Sequence, residues 1–393
     1  MTRNILIGVD VGSYQVKIVV AERTAQAPRI LGTGYAESRG LRHGYVVNVS
    51  ETERAVRTAK EAAEKEAQVG IDKAYVSVGG IGLSGITATG TVAIARQDNE
   101  IYEGDIEEAL RAAEESLPKA ELQNRKVIYS IPTEYLIDKK PVYGKAVGMR
   151  GGELSIKALF VTCLEQHIKD LVEALAGAGI ETLDVCAAPI AASFVTLTKS
   201  QKVAGCVLAN IGSETVSVAV FENNIPISLE VFPIGSVNIT HDIALGMKIS
   251  LEEAEMLKRG GITNADYPKR KLDDIISSRL SDIFDLVEAH LKKNGRSQLL
   301  PAGIVITGGG AGITTIEDFA RAALRLPSRV AHIEIGNHGR TIRDSSWAVA
   351  YGLCFMGFEE DELSFSFSSV REILKGQGKI KKAAKHWFSK FMP

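Results

Sequence analysis

Cysteine is scarce in this chain. The 393 residues hold four, Cys163, Cys186, Cys206 and Cys354, far apart and without a Cys-x-x-Cys pair. That spacing argues against a zinc site and a disulfide scaffold, and it fits a reducing cytoplasm. Net charge is also small, formally −2, so nothing favours nucleic acid as a partner and any charged partner must be met by a local patch. No apolar run approaches the roughly 18–20 residues that span a bilayer. The run after Arg3 breaks at Asp10, too early for the apolar region of a signal peptide. The expectation is a chain on the cytoplasmic side that meets a membrane only by lying on it. A Walker A loop is absent too, because no Gly-Lys-Ser/Thr ends a glycine stretch, and Ile313 stands where a dinucleotide loop needs its last glycine.

What the chain does have is a repeated hairpin. Asn4–Val20 places two apolar runs around the polar turn Asp10-Val-Gly-Ser-Tyr14, and Gly205–Val220 does the same around Asn210-Ile-Gly-Ser-Glu214. Asp10 falls opposite Asn210, Gly12 opposite Gly212, Ser13 opposite Ser213 and Val16 opposite Val216. A Pro-led third strand follows each copy, at Pro28–Leu31 and Pro226–Leu229. With 45% hydrophobic and 24% charged residues, the chain has room for two lobes of roughly 150–200 residues. Two similar hairpins opening two half-chains predict lobes that grip one ligand between them.

Between the hairpins, Glu51–Ala67 has a helical stripe, with Ser50 and Glu53 as a capping box and Gly70 as its stop. A strand at Ala74–Val78 completes an α/β domain with a mixed sheet. The block from Leu83 to Thr162 differs in texture. A strand (Ile86–Ala95), a helix (Asp105–Leu117) and two more strands (Arg125–Asp138, Leu154–Thr162) predict an inserted module; the alternative is that they continue the first sheet. Helix, short strand and helix lead from Leu164 to Leu197. After the second hairpin, Ser250 and Glu253 cap a helix bearing Glu255 and Lys258, and a long helix runs from Leu272 to Lys293. Pro301–Gly312 reads as a buried strand entering a glycine loop, with Thr314 or Thr315 capping the next helix. Trp347–Phe358 is an apolar helix dense in small residues. Beyond an acidic and serine-rich stretch, the tail from Lys375 carries six lysines and no acid.

The chemistry of these pieces points to a polyphosphate. At Gly12-Ser13 and Gly212-Ser213 a missing side chain lets backbone N–H groups close on an anion. Lys17 can reach phosphate oxygens, and Asp10 can hold Mg²⁺ through water. Gly308, Gly309, Gly310 and Ala311 suit close approach of a nucleotide. Glu255 and Lys258 either contact its base or ribose or form an ordinary exposed ion pair. If Lys379–Met392 is helical, Ile380, Trp387, Phe388 and Phe391 share one face and Lys381, Lys382 and Lys385 the other. That pattern fits an in-plane membrane helix better than a solvated tail, each lysine contributing roughly 1 kcal/mol near anionic headgroups.

Paired phosphate hairpins, a glycine loop and a small-residue helix after it resemble the actin/sugar-kinase/heat-shock-chaperone ATPase superfamily. Within it the chain is similar to the FtsA family of bacterial cell-division proteins over essentially its whole length. The specific marks are Ile131-Pro-Thr-Glu-Tyr-Leu-Ile-Asp138, Pro233-Ile-Gly-Ser-Val-Asn-Ile-Thr-His-Asp-Ile-Ala244 and the amphipathic C-terminus. The resemblance implies an α/β, two-lobed actin-like ATPase fold with ribonuclease H-like lobes and an inserted strand-helix-strand-strand (1C, or SHS2) subdomain. Residues 1–83 with 163–197 would form lobe 1A, 84–162 subdomain 1C, 198–237 with 302–358 lobe 2A, and 238–301 the small subdomain 2B. Residues 359–378 would be a linker and 379–393 the membrane helix. It implies ATP with Mg²⁺ in the cleft, and filaments of the protein itself on anionic lipid at the cytoplasmic face of the division site. It also implies capture of the C-terminal peptide of FtsZ by 238–301 and of later division proteins by 84–162.

Carried over by residue, Asp10, Gly12, Ser13, Tyr14 and Lys17 would be the first phosphate motif. Asn210, Gly212, Ser213, Glu214 and Thr215 would be the second, Gly308, Gly309, Gly310 and Ala311 the adenosine motif, and Glu255 and Lys258 its flank. The second motif departs from the family's Asp-Ile-Gly-Gly-Gly-Thr: Asn210 replaces a carboxylate, Glu214 a glycine, and Ser236 stands where another glycine is common. Retained backbone donors favour binding, and the lost carboxylate predicts weak or absent hydrolysis. The alternative family reading is a PilM-like cytoplasmic component of type IV pilus assembly, which shares the inserted block.

Overall fold

Two apolar runs buried almost continuously, on both faces of the sheet, make the opening stretch an antiparallel pair. β1 (Ile5–Val11) and β2 (Gln15–Arg23) pair from Ile5↔Glu22 to Val11↔Val16, so Asp10 faces Lys17 across the ladder. In this computed structural model residues 4–261, 267–337 and 340–360 are described, without the side chains of 334–343 and 359–360. β3 (Pro28–Glu37), the ribbon β4 (Leu41–Arg42) and β5 (Tyr45–Val46), α1 (Val49–Ala67) and β6 (Lys73–Val78) follow. The inserted block comprises β7 (Leu83–Ala93), α2 (Glu103–Glu115), β8 (Arg125–Ile137), β9 (Lys140–Val142) and β10 (Glu153–Leu164). The chain returns through α3 (Glu165–Gly177), β11 (Glu181–Ala187), α4 (Ala188–Thr196) and α5 (Lys199–Ala204).

The second half repeats the plan with β12 (Cys206–Ile211), β13 (Val216–Glu222) and β14 (Ile225–Phe232). The helices α6 (Ser236–Met247), α7 (Leu251–Lys258) and α8 (Lys269–Lys293) come next. β15 (Ile304–Thr307), α9 (Ile316–Leu324), β16 (Ser328–Val330), the hairpin β17 (Glu334–Asn337) and β18 (Arg340–Arg343), and α10 (Ala348–Glu360) complete it.

The duplication extends from hairpin to whole sheet. One sheet has the order β3-β2-β1-β6-β11, the other β14-β13-β12-β15-β16. In each, an antiparallel three-strand meander is continued by a parallel strand, β6 on β1 and β15 on β12. α4 and α10 lie between the sheets, in one core with Leu6, Val19, Leu208 and Ala219. Small residues let the backbones meet. A Cβ on Gly352 would stand 1.9 Å from the Ala191 carbonyl oxygen, and one on Gly8 2.1 Å from that of Ala350. The small-residue helix is thus part of the layer on which both lobes rest.

The inserted block does not continue the first sheet. It forms its own, β7-β10-β8-β9, as the insertion reading predicts. Its base joins both lobes: Leu83, Ile131 and Leu159 share a core with Val185 and with Leu229 and Val231 of β14.

Three capping expectations are corrected. α1 begins two residues early, capped by Asn48, whose side chain accepts from the Glu51 amide at 3.1 Å; Ser50 lies within the helix. Asparagine is at least as good a cap as serine, and it stands where the backbone turns. The helix ends at Gln68 in left-handed backbone (φ 54°), not at Gly70. Thr315 occupies the N-cap position of α9 but makes no capping bond, because its backbone is already helical. Ser250 does cap α7, accepting from the Glu253 amide at 3.2 Å. Among the described residues no helix is long and apolar enough to cross a membrane. Residues 361–393, with Ile380, Lys381, Lys382, Lys385, Trp387, Phe388 and Phe391 of the expected membrane helix, lie outside the described residues.

Candidate functional site

The two hairpin turns close alike. Gly12 N–H donates to the Gln15 carbonyl at 3.2 Å and Gly212 N–H to that of Thr215 at 2.8 Å. Within the described protein the amides of Ser13 and Tyr14, and of Ser213 and Glu214, donate to no other group. Tyr14 is exposed. Both turns converge on one short loop between β4 and β5. Gly44 N–H donates to Ser13 Oγ at 2.9 Å, and the adjacent His43 N–H donates to Glu214 Oε2 at 2.5 Å. The lobes therefore face each other across two consecutive amides. His43 and Gly44 both have left-handed backbone (φ 49° and 72°). Gly44 also leaves no room for a side chain, since its Cβ would stand 2.5 Å from Gly80 Cα.

Asp10 is turned inward and accepts from Ser77 Oγ at 2.7 Å. Burial raises its carboxyl above the usual range, and the Ser77 hydroxyl and the Lys17 ammonium pull it partly back. Lys17 is 8% exposed and sits 5.6 Å over the Trp347 ring. Its Nζ donates to Ser346 Oγ at 2.7 Å and to the Ser346 carbonyl at 3.1 Å. Burial lowers its affinity for the proton, while Asp10 and Asp344 oppose this.

The segment Asp344–Ser346, a strap leading into α10, also holds the glycine loop. Thr307 Oγ1 donates to the Ser345 carbonyl at 3.0 Å, and Ser345 Oγ donates to that of Gly308 at 3.2 Å. Gly308 has φ 90°, and its Cβ would stand 2.4 Å from Asn210 Oδ1. Asn210 is thus turned toward the glycine loop. Gly309 is open to solvent, while Gly310 and Ala311 pack inward. Gly212 and Ser213 give their carbonyls to the amides of Ser236 (2.9 Å) and Val237 (2.8 Å) at the start of α6.

Glu255 and Lys258 form an ion pair, but not an exposed one. Lys258 Nζ lies 2.6 Å from Glu255 Oε2 and donates to Thr240 Oγ1 (2.9 Å) and the Ser236 carbonyl (3.2 Å). All three ammonium donors are used inside the protein. Burial lowers the Lys258 pKa, and Glu255 counteracts it. Residues that the sequence reading missed are Ser77, His43, Gly44 and the strap Asp344–Ser346. No motif marks them; only the glycines at 40, 44, 79 and 80 hint that loops approach closely there. Among the described residues no group of three or more His, Cys, Asp or Glu is placed to hold a metal directly.

One prediction follows from the buried Asp10. Because its folded pKa is raised, the folded state keeps the proton to higher pH than the unfolded chain, whose carboxyl titrates near about 3.9. Stability contributed by this group is therefore lost as pH rises from the unfolded value through the folded one. Asp10→Asn keeps an acceptor for Ser77 without the buried charge. Its thermal midpoint at pH 7 should exceed that of the wild type, with the gap closing toward pH 4. A lower midpoint at pH 7 would contradict this account.

Known proteins share this architecture. The family model described as "Cell division protein FtsA" matches residues 207–352, and that described as "SHS2 domain inserted in FTSA" matches 80–162. Cell division protein FtsA of Bacillus subtilis is 29% identical over 88% of this chain and 82% of its own. That of Borreliella burgdorferi is 28% identical over 99% of both chains, and that of Escherichia coli K12 25% identical over 99% and 98%. Among solved structures, a chain of the PilM-PilN type IV pilus biogenesis complex superposes with a TM-score of 0.68 at 18% identity, over 91% of this chain and all of the other. Ethanolamine utilization protein EutJ from Carboxydothermus hydrogenoformans gives 0.54 at 16%, over 91% of each. These two show the actin-like fold.

Proposed function

Because the chain belongs to the FtsA family of cell-division proteins, we propose that it binds Mg·ATP between its lobes and polymerises on the cytoplasmic face of the membrane. There it ties the FtsZ polymer to the lipid and recruits later division proteins. The observation that carries the nucleotide part is the convergence of two matched turns, one from each lobe, on His43 and Gly44. Free amides on both turns, Lys17 beside them and one inward carboxylate suit a polyphosphate with a hard, hydrated cation. Ser13, Tyr14, Ser213 and Glu214 would hold phosphate oxygens through their amides. Asp10 would hold Mg²⁺ through water, and the loop at Gly308–Ala311 would take the nucleoside. Mg²⁺ would supply charge neutralisation of the phosphates. Asn210, an amide turned toward Gly308, offers no second carboxylate to order water, so slow or no phosphate release is expected.

The membrane and partner parts rest on the family and on the aromatic-lysine tail. Such a helix is weak alone, and filaments would multiply it. The likeness to a PilM chain is one of fold, and nothing in the site favours a pilus role. Co-sedimentation with anionic vesicles tests the reading as a whole. With Mg·ATP the protein should pellet with vesicles and carry FtsZ with it, and FtsZ alone should stay in solution. FtsZ remaining in the supernatant beside vesicle-bound protein would overturn the anchoring role.

A further inference from the structure

Glu214 occupies a position where the family's second phosphate motif has glycine, and the structure shows what its side chain does there. It crosses from lobe two to lobe one and takes the His43 amide at 2.5 Å, while the His43 ring Nδ1 lies 3.4 Å from the Glu214 carbonyl. The next amide, Gly44, is held by Ser13 Oγ. Two successive N–H groups on left-handed backbone form a concavity that favours an anion. Here that concavity opens between the two phosphate turns, and each turn fills half of it: Ser13 Oγ accepts from Gly44 N–H and the Glu214 carboxylate accepts from His43 N–H. Nothing in the fold demands this residue: its backbone turn closes through Gly212 and Thr215, as its partner turn does through Gly12 and Gln15.

We propose that the His43–Gly44 amides are a third anion-binding element of the cleft, and that Glu214 occupies its His43 arm, beside Ser13 Oγ on the Gly44 arm, until a terminal phosphate displaces the carboxylate. Glu214 is then a specificity-determining residue. A triphosphate must expel the carboxylate and bear its repulsion, whereas a diphosphate leaves it in place. The chain would hold Mg·ADP better, relative to Mg·ATP, than a protein with glycine at 214. The contact is also a latch between the lobes, released by the triphosphate. This inference rests on the nucleotide reading given above.

Calorimetry on the full-length protein with Mg·ATP and Mg·ADP tests it, using Glu214→Ala and Glu214→Gln. The alanine variant should bind Mg·ATP about tenfold tighter, the worth of one charge-assisted contact, with Mg·ADP changed by less than about twofold. The glutamine variant, which keeps the hydrogen bond without the charge, should fall between. Hydrogen exchange gives a second readout. Without nucleotide, the peptide spanning residues 40–47 should exchange faster in Glu214→Ala than in wild type, and Mg·ATP should slow it in both. Equal tightening for both nucleotides, or weaker Mg·ATP binding in either variant, overturns the proposal. Failure of wild type and variants alike to bind either nucleotide would remove the nucleotide reading itself, and this proposal with it.

Discussion

Replacing Lys17 by methionine is expected to weaken Mg·ATP binding by roughly a hundredfold while leaving a folded protein. Lys17 is a buried ammonium beside the first turn, held by Ser346 and stacked over Trp347. Keeping a charge there carries a desolvation cost, visible in its lowered pKa, which Asp10 and Asp344 offset only in part, and the two bonds to Ser346 are a modest return for it. A polyphosphate repays that cost through charge-assisted bonds of about 1.5–3 kcal/mol each, and one strong bond of about 2.8 kcal/mol corresponds to the predicted loss. Methionine retains the unbranched shape and the contact with Trp347, so the strap should stay. Calorimetry read beside a thermal melt checks both halves. A folded variant with unchanged affinity would remove Lys17 from the site. A ten-degree fall in midpoint would mean that its tie to Ser346 is chiefly structural (one kcal/mol shifts the midpoint of a domain by only about 2–8 °C).

Deleting residues 375–393 is expected to abolish flotation with anionic liposomes and leave Mg·ATP binding as it was. The deleted stretch holds the six lysines and the residues Trp387, Phe388 and Phe391, while the cleft is built from residues 10–346. On the membrane-helix reading the aromatic residues would supply burial in the interface, and the lysines attraction that salt would screen. Flotation of the intact chain should therefore weaken as ionic strength rises. A further variant, Trp387→Glu with Phe391→Glu, should fail to float although every lysine remains. Undiminished flotation of the truncated protein would remove the membrane-anchor reading.

The two largest features were legible because they repeat or run periodically. Asp10/Asn210, Gly12/Gly212 and Ser13/Ser213 match at a constant offset, and the matching sheet orders follow from the same duplication. α8 showed itself through Leu280, Phe284, Val287 and Leu291, which are buried, and the inserted block through its own strand-helix-strand-strand run. Local signals fixed less where two neighbours compete for one role. Asn48 and Ser50 are both good caps, and the chain path leading out of β5 decided between them. The environment of Glu255 and Lys258 was equally hidden: their spacing announces an ion pair, but burial under Ser236 and Thr240 depends on how α6 meets α7.

For this protein, the sequence by itself determined the duplicated turns, the amide at Asn210 where its partner turn has Asp10, and the charge at Glu214, because each is a matter of residue type and spacing. Only the tertiary structure decided where the charges go. It placed Ser77 on Asp10, Ser346 on Lys17 and, through a loop with no motif of its own, His43 on Glu214. Those partners lie 67, 329 and 171 residues apart along the chain. No local pattern can bring such distant groups together: Ser77 meets Asp10 because β6 pairs beside β1 in one sheet, and the other two pairs meet because the two sheets pack on α4 and α10.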